Sequence, residues 1–119
     1  MVTVGYKQKR GLARYRVPRA VDVYDGLNDI YLGRLVNIHQ SGLMLMGDRR
    51  LEEDKLYALD LHLPRPVSNH STIQLDADCL WTRNTEHNGK HWAGFAFIAL
   101  SAQSAAQVSA LIELLGQPA

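Results

Sequence analysis

"TIQLDADCLWTRNTEHNGKHWAGFAFIAL", residues 72–100, carries the clearest structural signal in the chain. Its opening alternates Ile73, Leu75, Ala77 and Cys79 with Gln74, Asp76 and Asp78, the period of a strand buried on one face. The polar run 84–90 contains Asn88-Gly89, a pair suited to a tight hairpin turn because both residues tolerate positive φ. Residues 91–100 return as a second apolar strand.

The same pattern extends outward from this hairpin. "LYALDLHL" (56–63) sets Leu59, Leu61 and Leu63 against Asp60 and His62. Pro64 and Pro66 end that strand, since proline cannot donate to a ladder. "AVDVYD" (20–25) places Val21 and Val23 opposite Asp22 and Tyr24, "GLND" (26–29) is a turn, and "IYLGRLVNI" (30–38) is a longer strand. "HQSG" (39–42) makes a second turn. "LMLM" (43–46) lacks alternation, as expected where both faces are covered, and the polar stretch 47–55 is a connection or a single helical turn.

Residues 101–116 differ in kind. Val108, Leu111, Ile112 and Leu115 recur at helical spacing, Ser101 or Ser104 can cap the start, and Gly116 with Pro118 supplies a stop. Six short strands and a terminal helix predict an all-β domain over 17–119: a six-stranded antiparallel β-barrel with a C-terminal α-helix at about 101–116. Closure of the sheet removes its open edges.

A chain of 119 residues, 46% of them apolar, can bury one core without covalent staples. The single cysteine, Cys79, excludes an internal disulfide and a cysteine-rich metal site, and its strand position reads as a small buried hydrophobe. No apolar stretch approaches the roughly 18 residues that span a bilayer, and no apolar run follows the charged N-terminus as in a secretory signal. A cytoplasmic location is expected.

Charge is distributed unevenly. Residues 1–19 contain Lys7, Lys9, Arg10, Arg14, Arg16 and Arg19 and no acid, whereas the rest holds seven basic and twelve acidic residues. Residues 1–16, with Gly5 and Gly11 and no sustained period, read as a flexible basic arm. A cationic arm on a mildly acidic body argues against broad nucleic-acid binding and favours a compact anionic ligand.

Catalytic signals are weak. His87 and His91 flank a turn and would share a face only on a helix; Asp76 and Asp78 point to water. G-x-S-x-G, P-loop and paired metal motifs are absent from the sequence. Neither an enzyme nor a bound cofactor or metal is expected.

Binding signals are better organised. Arg10 and Arg14 stand four apart just before the first strand. A guanidinium fork matches two phosphate oxygens, or O6 and N7 of guanine. At the end of the second strand, "NIHQSG" (37–42) puts Asn37 and His39 on one face. Gly42 serves positive φ at the turn or a ligand's close approach to the backbone. Taken alone, the six residues also suit an ordinary polar hairpin turn.

Together these elements resemble the PilZ domain family, whose pattern is R-x-x-x-R before the first barrel strand and [D/N]-x-S-x-x-G at the end of the second. Arg10 and Arg14 match the first motif, and Asn37 and Gly42 match the ends of the other. "HWAGFAFIALS" (91–101) is similar to the family's last strand leading into its helix. His39 stands where the family has serine; it is larger but keeps a donor and an acceptor and can carry charge near a phosphate. The resemblance implies a receptor for cyclic di-GMP, a bacterial second messenger, acting on a downstream protein. It implies that Arg10 and Arg14 hold guanine edges and phosphates over Asn37, His39 and Gly42, with Lys9 and Arg16 as helpers. Trp81 is either a stacking platform for a purine or a side chain of the core or a barrel-end plug. A member that has lost the nucleotide and only binds protein is the alternative.

Overall fold

Alternation decides which side chains face inward, and the computed structural model, describing residues 2–3, 20–67, 69–85 and 88–116, shows the outcome. The strands are β1 (Val2–Thr3), β2 (Asp22–Asp25), β3 (Ile30–His39), β4 (Gly42–Gly47), β5 (Leu56–Val67), β6 (His70–Asn84) and β7 (His91–Phe97), followed by helix α1 (Ala102–Leu115). They lie antiparallel in the order β1-β3-β2-β5-β6-β7-β4, and pairing of β4 with β3 closes the sheet. β2 to β7 thus form the expected six-stranded closed barrel.

Its interior is filled by one residue in two from each strand, among them Val23, Ile38, Leu45, Leu61, Ile73 and Cys79. α1 lies against β3, β5 and β6 and adds Val108 and Leu111, both fully buried, and Leu114 and Leu115. Ser101 is the N-cap, its hydroxyl accepting from the Ser104 N–H at 3.0 Å. Tyr57 meets Phe95 edge-on inside the barrel, and its hydroxyl accepts from the Glu52 N–H at 3.0 Å. That bond ties the 48–55 connection to the core. Among the described residues no helix is long and apolar enough to cross a membrane.

Two expectations are corrected. Pro64 and Pro66 do not end β5, which runs on to Val67. They interrupt its ladder instead: pairing stops at His62–Thr72 and resumes at Val67–His70, so residues 63–66 face only Ser71. An extended chain tolerates proline where no partner carbonyl awaits an N–H. The expected arm 1–16 also begins with a paired strand, since Val2 and Thr3 face Ile38 and Asn37. β1 and β2 share one edge of β3, and the Leu35 N–H donates to Val21 O at 2.9 Å. Thr3, opposite Asn37, and Val21, bonded to Leu35, thus meet β3 at points about 7 Å apart along the strand. Lys9, Arg10, Arg14 and Arg16 lie outside the described residues, as does His87.

The 26–29 turn is organised by Asp25, a buried acid at 8% exposure. Its Oδ1 accepts from the Leu27 N–H at 2.9 Å and the Asn28 N–H at 3.3 Å, and Oδ2 from Asn28 Nδ2 at 3.0 Å. The Asn28 side-chain bond, helped by the two backbone donors and Lys55, outweighs desolvation and holds the carboxyl below its ordinary value of 3.8. A depressed folded-state pKa gives stability that is present above the ordinary carboxylate range and lost as pH falls through the folded value. Asp25→Ala should cost about 1–3 kcal/mol near neutrality. In thermal melts from pH 6 downward, the gap between wild type and variant should narrow below the ordinary carboxylate range; a constant gap would contradict this account.

Candidate functional site

Two one-residue slips in register build a hollow on the barrel wall. In β3, Leu35 pairs with Leu45 and Asn37 with Met44, leaving Val36 as an extra residue. In β6, Cys79 pairs with Phe95 and Trp81 with Gly94, leaving Leu80 extra. A β-bulge reverses the in–out alternation for everything after it. Asn37 and His39 therefore turn outward around buried Ile38, and Trp81 leaves the core face occupied by Cys79.

The resulting hollow has a volume of about 290 Å³ and is lined by Asn37, His39 and Ser41 on one side and Leu80 and Trp81 on the other, over Met44 and Ala96. That volume stands at the lower end of small-molecule sites, about 300–1,000 Å³. No Asp, Glu, Lys or Arg lines it among the described residues. Leu80 is 52% exposed, so the wall is apolar on the β6 side and polar at the β3–β4 turn.

His39 is held in one orientation by that turn. Its Nδ1 accepts from the Ser41 N–H at 3.3 Å and lies 3.0 Å from Ser41 Oγ. With Nδ1 an acceptor, the neutral ring carries its proton on Nε2, which remains as a donor. The turn is anchored further by Gln40 Nε2 donating to Ser109 Oγ of α1 at 3.0 Å, and by Phe97 N–H donating to Ser41 O at 2.9 Å.

The two glycines here allow close approach. Gly42 does not occupy positive φ, so the expectation that the turn needs it for that reason is corrected. A Cβ there would fall on the Phe95 carbonyl oxygen, so the residue admits the β7 backbone. At Gly94 a Cβ would fall on the Trp81 indole, against Nε1, Cε2 and Cζ2. The indole thus lies against the β7 backbone at Gly94, and the core reading of Trp81 gives way to one on the outer wall.

The structure therefore gathers Asn37, His39 and Trp81 at one hollow, with Gly42 behind it. Sequence reasoning missed Met44 and Leu80 as lining residues and Ser41 as the partner of His39. Clean alternation through "DADCLWTR" conceals the slip, because nothing local marks Leu80 as extra. Cys79 takes no part: burial foremost, with Glu53 next, pushes its thiol up to about 11, which keeps it protonated and unreactive.

Comparisons with known proteins add the following. The PilZ domain family model matches residues 8–114. The chain resembles the PilZ domain of YcgR from Escherichia coli, solved with c-di-GMP, at 14% identity and TM-score 0.65, covering 91% of this chain and 92% of that one. It resembles the Bacillus subtilis inhibitor of motility MotI/DgrA at 17% identity and TM-score 0.61, covering 91% of this chain and 52% of that one. The PilZ domain of CeSA from a cellulose-synthesizing bacterium matches at 14% identity and TM-score 0.55, covering 83% and 93%. At such identities the likeness is one of fold. No curated protein matches the chain.

Gly94→Ala should push the indole off the wall and cost about 1–3 kcal/mol through overpacking. In a Trp92→Phe background, acrylamide quenching of Trp81 fluorescence should rise. Unchanged quenching would mean that Trp81 does not rest on Gly94.

Proposed function

The chain belongs to the PilZ domain family, and on that premise we propose that it is a cytoplasmic receptor for cyclic di-GMP that signals to a downstream protein. The observation that carries this reading is the meeting of Asn37, His39 and Trp81 at one hollow, beside the strand edge flanking the stretch that bears Arg10 and Arg14. The match of the family model, which includes both arginines and residues 37–42, supports it further.

In this reading the hollow supplies shape and hydrogen bonds, and the arginines supply charge. Asn37 and the Nε2–H of His39 bond to the ligand, Trp81 stacks on a guanine, and Gly42 keeps the wall closed behind them. Arg10 and Arg14 grip phosphates and guanine edges from outside, and Lys9 and Arg16 add longer-range attraction. Arg10 is seven residues from Thr3, and Arg14 is six from Ala20. At about 3.3–3.6 Å per residue each has some 20–25 Å of reach.

Binding orders the arginine-bearing stretch at a cost of about 1–2 kcal/mol per backbone residue. Charge-assisted hydrogen bonds of about 1.5–3 kcal/mol each offset that cost. Anchorage of the flanking chain on one edge of β3 limits the entropy of closing the loop. The ordered stretch then offers a new surface to a partner. The protein works as a binding module rather than an enzyme.

One observation favours the alternative, a protein-interaction module that does not bind the nucleotide: His39 occupies the serine position and its Nδ1 is committed to Ser41. Calorimetric titration with cyclic di-GMP, with cyclic di-AMP and GTP as controls, separates the two. We expect binding by wild type, loss in Arg10→Ala and Arg14→Ala, unchanged melting of the free variants, and retention in His39→Ser. Equal affinity in wild type and both arginine variants would overturn the proposal. A silent wild type with a binding-competent His39→Ser would establish the alternative.

A further inference from the structure

The geometry points to Arg83 as an additional ligand-binding residue of the hollow: its guanidinium, beside the Trp81 ring, would meet a phosphate or guanine edge of a nucleotide bound there. The inference rests on the cyclic di-GMP reading above and adds to the site a cation that neither family motif contains.

Arg83 follows Trp81 by two residues, so the slip at Leu80 that turns the indole outward carries Arg83 to the same face. Its Cζ lies 5.4 Å from the Trp81 ring centroid, within cation–π range, and Trp92 stands across the ladder from it. Arg83 is exposed, and none of the ion pairs among the described residues involves it. Its planar fork therefore retains donors for an acceptor arriving from solution. Among the described residues, the hollow's own lining has no charge to offer a dianionic ligand. A cation held at the platform's edge supplies some without being buried, which avoids the desolvation cost of a charge placed inside.

The test titrates the full chain with cyclic di-GMP at low and high salt, comparing wild type, Arg83→Ala and Arg83→Lys. Loss of one charge-assisted contact predicts about tenfold weaker binding for Arg83→Ala, with the deficit shrinking at high salt. Arg83→Lys should recover part of the loss, since it keeps the charge and loses the plane. Melting temperatures should coincide, because the side chain is exposed. If wild type binds and Arg83→Ala binds within about twofold of it, Arg83 has no such role and the wider reading stands. If wild type shows no binding at all, the cyclic di-GMP reading fails and this inference fails with it.

Discussion

The constraint on which this structure turns is the two-residue period of a β-strand and two of the places where it is broken. Six strands obey the period well enough to fill a barrel with one residue in two. At Val36 and Leu80 a single extra residue resets the count. The slip at Val36 moves Asn37 and His39 to the outer wall, and the slip at Leu80 moves Trp81 and Arg83 there. Polar groups and an aromatic platform are thereby brought together on a surface whose underside is ordinary core.

Close backbone approach then shapes that surface. The indole of Trp81 can lie against β7 only because residue 94 lacks a side chain, and β4 can meet β7 at its end only because residue 42 lacks one. The 40–41 turn completes the wall and connects it to α1 through Gln40 and Ser109. That connection gives the barrel surface a direct contact with the C-terminal helix. In the function proposed here, a ligand that moves His39 would also disturb this helix contact.

The division of labour between charge and shape follows from desolvation. A cation lining an apolar hollow would lose hydration before any ligand arrived. The described wall has no ionised lining, whereas residues 1–19 hold six of the thirteen basic residues and Arg83 stands beside Trp81. Arginine suits such rims because its fork is preorganised and its weakly hydrated plane tolerates an aromatic neighbour.

Local patterns determined the barrel. Alternation in 72–79 and 59–63, the turn chemistry of 26–29 and the helical spacing after Ser101 each express preferences of neighbouring residues, so one chain suffices to read them. The pairing of Asn37 with His39 across Ile38 was legible for the same reason, and so was the spacing of Arg10 and Arg14. Tertiary structure alone decided the fate of Trp81, the purpose of Gly42 and the continuation of β5 past its prolines. Each depends on how neighbouring strands meet at that height: an extra residue with nothing opposite, a carbonyl too near, a ladder position with no partner. Register is a relation between strands, and no residue carries it by itself.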